Sequence, residues 1–228
     1  FIYASALYHC YLFPREFSEY GKYYSAFDDK VHEGISYNDY SLWDTFRAFH
    51  PLMTLLEPEL TGNWITGLLQ MYKEGGWMPM WPNPSYTNIM IGTHADALIA
   101  DAYMKGIRNY DTDLAYEAMR KNAMVPPDCD TQRRYGDRDR WTSFEARAGA
   151  SFYHTIGYVP DDKTAESVSR TLEYAYDDWC IAQVAKEMGK MDDYKSLMQW
   201  SQNYKNIYNT EKGFILPRKY NGEWIELD

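Results

Sequence analysis

Ser41-Leu-Trp-Asp-Thr-Phe-Arg-Ala-Phe-His-Pro-Leu52 sets Trp43, Asp44, Arg47 and His50 within eight residues, ahead of an apolar run of Leu52, Met53, Leu55 and Leu56. Ser41 suits a helix cap. Asp44 follows three residues on, where a capping-box acid stands and where negative charge meets the positive end of the helix dipole. The spacing predicts one helix over 42–56, closed by Pro58, with Trp43 and Asp44 at its mouth and Arg47 one turn after Trp43. An indole face beside a carboxylate and a guanidinium suits a sugar: the C–H face of the ring stacks, and adjacent hydroxyls take charge-assisted hydrogen bonds. The same residues equally suit a capped helix with a buried Trp and a local Asp–Arg pair.

Helices come in pairs outward from this stretch. Thr61 to Lys73 is the partner of 42–56, with Trp64, Ile65, Leu68, Leu69 and Tyr72 at helical spacing and Gly75-Gly76 as its stop. Thr93 to Lys105 carries a stripe of His94, Ala97, Leu98, Asp101 and Ala102, which is either a buried polar pair or a site lining. Gly106 ends it, and Asp111 opens its partner, 112–124. A long helix over 164–188, ended by Gly189, pairs with 192–208. Phe1 to Phe13 reads as the tail of a helix, and Arg15 to Tyr40 as a long loop with a hairpin around Lys22–Val31. The stretch 126–141 is charged and reads as an exposed loop, 157–161 as a turn, and 213–224 as a short strand or hairpin. The expected fold class is all-α, built of successive αα-hairpins. The hairpins do not repeat closely enough for a regular solenoid.

Composition narrows the partners. The chain has 228 residues, 45% hydrophobic and 25% charged, as in ordinary globular domains, but aromatics reach 17%, with 22 Tyr and 8 Trp. That excess fits a core of large rings or a groove for ring-shaped ligands. A formal charge of -10 argues against nucleic acid and against an anionic membrane surface, both of which need a basic face. No run is long enough for a transmembrane helix, so membrane insertion is not expected. Cys10, Cys129 and Cys180 stand far apart, which disfavours a disulfide framework or zinc knuckle. The chain lacks an initiator Met and a signal peptide and opens inside a helix, so it is expected to be a piece of a longer protein.

Among the chemistry motifs, GxSxG, HExxH, phosphate-loop and dinucleotide patterns are absent, and the five histidines have no metal-ligand spacing. Carboxylates remain. Glu173 and Asp177 lie four apart on one helix face with Asp178 beside them, and like charges so placed repel unless water, a cation or a ligand separates them. A solvated acidic face is the bland alternative, yet that helix is apolar over much of its surface. Trp77 and Trp81 flank a proline-stiffened loop, either as a stacking platform or as a cover for one end of the helices.

The strings Tyr40 to Leu52, Gly75-Gly-Trp-Met-Pro-Met-Trp81, Met90-Ile-Gly-Thr-His-Ala-Asp96 with Asp101 to Gly106, and Leu172-Glu-Tyr-Ala-Tyr-Asp-Asp-Trp179 resemble, in order and spacing, glycoside hydrolase family 92. That family consists of exo-acting α-mannosidases. The resemblance implies that 1–228 forms part of an (α/α)6 barrel catalytic domain, normally preceded by a β-sandwich, which hydrolyses mannose from glycans with inversion and with calcium as cofactor. By resemblance Trp43 and Asp44 hold the non-reducing mannose and Arg47 fixes Asp44 or the sugar, while Trp77, His94, Glu173, Asp177 and Asp178 are further substrate-binding candidates. The general acid and base and the calcium ligands find no counterpart and are expected beyond Asp228; α-1,2 linkage is the expected specificity. The chain alone is expected to be inactive and to self-associate through the exposed faces of a half barrel. The parent protein is expected to be secreted, periplasmic or at the cell surface. Other (α/α)6 glycosidases, such as α-glucosidases or trehalases, and a non-catalytic glycan-binding protein are the rival readings.

Overall fold

Among the described residues four positive-φ glycines lie within two residues of a helix's C-terminal end, Gly76, Gly106, Gly157 and Gly189. The computed structural model describes residues 1–87, 89–131 and 147–226. In chain order the elements are α1 (Ile2–Cys10), β1 (Arg15–Glu16), β2 (Lys22–Ser25), β3 (Lys30–Glu33), β4 (Tyr37–Asn38), α2 (Leu42–Thr45), α3 (Phe49–Leu56), α4 (Pro58–Gly75), α5 (Ala95–Met104), α6 (Thr112–Met124), α7 (Ala150–Ile156), α8 (Ser167–Glu187), α9 (Met191–Trp200), a 3-10 turn over Asn203–Ile207, β5 (Tyr208–Asn209) and β6 (Phe214–Ile215). Among the described residues the strands pair only as two-stranded antiparallel sheets, β1 with β4 around the β2–β3 hairpin, and β5 with β6, so the fold is all-α as expected.

The helices form two layers. α5 packs on both α3 and α8, and α4, α6 and α9 back them, α4 against α3, α5 and α6, α6 against α5 and α8, and α9 against α8. Tyr40, Leu42, Met53, Ile65, Leu68, Met78, Leu98, Met119, Ile181 and Leu197 lie in one core between the layers. α4 shows why periodicity read so well: Thr61, Trp64, Ile65, Leu68, Leu69 and Tyr72 are buried on one stripe, and Gly76 in the left-handed region ends it. Asp111 caps α6 by accepting from the Leu114 amide. The hairpin around 22–31 is β2–β3, in register Tyr23 with His32.

Several expectations are corrected. The helix over 42–56 is two helices, broken at 46–48. Pro51 is the reason: a continuous helix would drive its ring against the Arg47 carbonyl and leave that carbonyl without a donor. Ser41 makes no side-chain cap; it sits at φ 46, and its carbonyl accepts from the Asp44 and Thr45 amides. Pro58 does not close a helix but opens α4, where a missing N–H costs nothing. The helix over 192–208 stops at Trp200, and α7, a short helix between Gly149 and Gly157, was not expected. Residues 132–141 of the loop expected over 126–141 lie outside the described residues.

Candidate functional site

The break after α2 aims the site. Leu42 is fully buried, and Tyr40 plugs α4, its hydroxyl donating to the Trp64 carbonyl at 2.7 Å where Gly67 leaves room. Thr45 ties the turn by donating to the carbonyls of Tyr40 (3.0 Å) and Ser41 (3.2 Å). With one side of the turn anchored, Asp44 and Arg47 face solvent and Trp43 is half-buried. Arg47 stacks over Trp43, 4.5 Å from its ring centroid, and over Phe46, 4.7 Å away. Its Nη2 lies 3.4 Å from Glu173 Oε1 on α8, not on Asp44. Of the two roles expected for Arg47, fixing Asp44 or the sugar, the Asp44–Arg47 pair is absent, and Asp44 has no side-chain partner among the described residues.

Beneath this mouth the acidic cluster resolves. His94 occupies the gap between Glu173 and Asp177: Nε2 lies 3.3 Å from Glu173 Oε2 and Nδ1 2.9 Å from Asp177 Oδ1. The Glu173 contact is an ion pair without hydrogen-bond alignment, the Asp177 contact a hydrogen bond. Of the separators expected between Glu173 and Asp177, water, a cation or a ligand, the structure supplies the imidazole of His94. Phe46 lies flat on that ring, centroids 3.9 Å apart. Burial opposes a charged imidazole, but Asp177 and Glu173 outweigh it and hold the His94 pKa up at about 9. Gly92, at φ +84, lets this happen: a Cβ there would lie 2.5 Å from His94 Nε2 and 3.1 Å from Glu173 Cβ.

Asp177 and Asp178 are fully buried, so the expectation that they touch the sugar is corrected. Asp177 accepts from the Thr93 amide (2.7 Å); burial works against its charge, yet His94 and then Arg147 keep its carboxyl below the usual range. Asp178 pairs with Arg147 and receives the Tyr153 hydroxyl at 2.9 Å; burial raises it to about 6 against the pull of Arg147. Arg147 also reaches Asp96 Oδ2 (3.3 Å) and donates to Thr93 Oγ1 (3.1 Å), and Thr93 Oγ1 donates to Asp96 (2.6 Å). Burial raises the Asp96 pKa to about 8, with Arg147 opposing and Asp177 adding to it. These acids are interior supports because no low-dielectric carboxylate survives without a cation or donors.

Trp77 stands apart from the His94 clamp in its contacts. Its amide and carbonyl both meet the Tyr86 hydroxyl (2.9 and 2.7 Å), and Lys121 lies 4.6 Å from its ring. Trp81 is half-buried, its carbonyl accepting from Thr87. Reading the sequence missed Phe46, Gly92, Asp96, Thr93, Tyr153 and Arg147. Gly92, Thr93 and Asp96 sit inside a string already singled out; Arg147 has no local signal.

The family model for the glycosyl hydrolase family 92 catalytic domain matches residues 2–228 of this sequence. The chain belongs to that family. Among solved family 92 structures, an inverting mannosidase from Bacteroides thetaiotaomicron is 39% identical over 98% of this chain and 29% of its own, with a TM-score of 0.86. An α-mannosidase of the same organism, in complex with mannoimidazole, is 33% identical over 97% of this chain and 27% of its own, TM-score 0.83. An uncharacterized secreted glycosidase of Arthroderma benhamiae is 36% identical over 182 residues, 69% of this chain and 21% of that protein. The chain thus spans less than a third of the family relatives it matches. Among the described residues no helix is long and apolar enough to cross a membrane, and no cluster of His, Cys, Asp and Glu suits a metal.

Proposed function

We propose that the whole protein is an exo-acting, inverting α-mannosidase that removes mannose, α-1,2-linked, from glycans outside the cytoplasm. This chain supplies part of its sugar-binding wall. The observation that carries the reading is the mouth of α2: a partly exposed indole, a guanidinium stacked on it, and the Asp44 carboxylate unpartnered among the described residues. In this reading the sugar ring lies against Trp43, and Asp44 and Arg47 take hydroxyl hydrogen bonds of the charge-assisted kind. The related inverting mannosidase supports the substrate class, and the secreted fungal relative supports export.

Inversion needs an acid and a base about 6.5–9.5 Å apart with a water between them. Glu173, Asp177, Asp178 and Asp96 are each committed to His94, Arg47 or Arg147. We therefore place the reacting pair outside the described residues. Calcium does not fit this cluster either: each of its four acids is already paired with a cation, and among the described residues no group of three or more His, Cys, Asp and Glu could hold a metal; as a proposed cofactor calcium needs ligands from elsewhere, and no step here is routed through it.

The test is Trp43→Ala and Asp44→Ala in the full-length protein. Each should lower kcat/KM on an aryl α-mannoside at least about tenfold, the value of one lost sugar contact of roughly 1.5–3 kcal/mol, with the circular dichroism unchanged. Wild-type kinetics in both variants would remove this mouth from the substrate site. Faster turnover of glucosides than mannosides would favour an α-glucosidase or trehalase, and glycan binding without turnover a lectin-like protein. Chelation should abolish turnover and calcium restore it. The isolated 228-residue chain should be inactive and self-associate: Leu55, Leu56, Met104 and Trp179 are exposed, as is most of α1, and light scattering after gel filtration would report it.

A further inference from the structure

The turn that carries Arg47 and the helix that carries Glu173 are linked through one buried ring. His94 meets Glu173 with Nε2 and Asp177 with Nδ1, and its flat face carries Phe46. Arg47 lies over the same Phe46 and over Trp43, and reaches Glu173. We propose that His94 is a positioning residue of the sugar site: as an imidazolium clamped between Asp177 and Glu173, it fixes the carboxylate that holds Arg47 against Trp43. The assignment of this mouth to a sugar rests on the mannosidase reading; the clamp does not.

Three observations on the page carry it. The first is charge. Four carboxyl groups, Asp96 of α5 and Glu173, Asp177 and Asp178 of α8, stand with two arginines, Arg47 from the turn after α2 and Arg147 from the turn before α7. A charged His94 is the third cation, and it faces the one carboxylate, Glu173, that reaches the surface. The second is geometry. A neutral imidazole has one N–H for two carboxylates; the better-aligned Asp177 contact would keep it, and a ring lone pair would then oppose Glu173. The third is space. Gly92 leaves room for the His94–Glu173 approach that any side chain would block. The raised pKa of His94 agrees with these but is not needed for them.

The linkage has a sign. Below the pKa of His94 the clamp is complete and Arg47 is held; above it Glu173 loses its inner cation and Arg47 its fixed anchor. In the full-length protein, His94→Gln and Arg47→Ala should each raise KM for an aryl α-mannoside about tenfold with kcat changed less. The double variant should be no worse than the singles, because both remove the same placement. The wild type should lose affinity as pH rises through about 9, and His94→Gln should lack that limb. Additive losses, about a hundredfold in the double variant, or an alkaline limb that persists in His94→Gln, would overturn the proposal.

A readout without sugar separates this from the mannosidase reading. In protein labelled with 13C at histidine Cε1, the His94 signal should titrate near 9 and move down by a unit or more in Glu173→Gln, a substitution that keeps the shape. A His94 midpoint at or below the ordinary 6.5, or one indifferent to Glu173→Gln, sinks the clamp whatever the substrate is. A clamp that titrates as stated in a protein that turns over no mannoside leaves the proposal standing and the substrate assignment refuted.

Discussion

His94, at the start of α5, and His50, on the adjoining α3, are buried to the same degree, 1% and 0% exposed, yet their surroundings push their pKa values in opposite directions. His94 sits between two carboxylates and is held protonated to about 9. His50 sits among rings, 5.0 Å from Phe49 and 5.8 Å from Trp64, and neither nitrogen has a partner among the described residues. Burial alone drives its pKa down to about 3. It borders a cavity of about 370 Å³ between α3, α5 and α8, where Phe46, Leu98, Tyr176 and Trp179 outnumber the polar Asp101 and Gln183. Burial sets a cost on charge; nearby anions decide whether it is paid. The molecule therefore has an ionic region under α2 and a neutral, aromatic region along α3.

The ionic region should break hardest. Arg147→Met leaves Asp96 and Asp178 buried without their guanidinium and should destabilise α5 and α8 by about 3–5 kcal/mol, read as faster amide hydrogen exchange in the full-length protein. A loss below about 1 kcal/mol would mean that Asp178 is held protonated as well, as burial already favours for Asp96, and that Arg147 is not its counter-ion.

Alkaline pH tests the same region more gently. The folded pKa of His94 is raised, so its contribution is complete below 6.5 and is lost as pH rises through about 9. The full span is at most about 3 kcal/mol. Exchange of α5 amides, corrected for intrinsic rate, should show that slope in the wild type and not in His94→Gln.

Acid tests the other region with the opposite sign. The folded pKa of His50 is depressed, so stability is complete above 6.5 and falls as pH drops toward 3, about 2 kcal/mol by pH 5. Asp101, which borders the same cavity, is paired with Lys105 on its own helix and does not offer His50 a counter-ion. His154, lowered to about 4 by burial ahead of Arg147 and stacked on Trp200, adds to the same limb. His50→Phe and His154→Phe should each remove part of the slope, leaving the part due to carboxyls such as Asp177 and Asp193, whose pKa values are also lowered.

The smallest effect sharpens the contrast most. His50→Leu removes two unpartnered ring nitrogens from an apolar setting and should leave stability unchanged or raise it by about 1 kcal/mol at pH 7. A loss above about 2 kcal/mol would show that the nitrogens have a partner and that the two histidines are not the opposites described.

Much of the fold was legible locally. The stripes of α4 and α5, the Gly76 stop, the Asp111 cap and the hairpin around 22–31 all follow from spacings of two to four residues, and helix and strand geometry act at that range. The break in front of α3 was legible too, since Pro51 forbids a continuous helix; the apolar period had hidden it. Trp43, Asp44 and Arg47 were read correctly as a group at a helix mouth, but the partner of Arg47 was not.

The sequence by itself determined the helix pairs, the fold class and, through four ordered strings, the family. Only the tertiary structure decided which acids face solvent and which histidine lies between carboxylates. Arg47 and Glu173 are 126 residues apart, His94 and Asp177 83, and Arg147 and Asp178 31. No period connects such positions. A side chain's charge depends on what lies within a few ångströms of it, and packing of α5 against α8 puts those groups there.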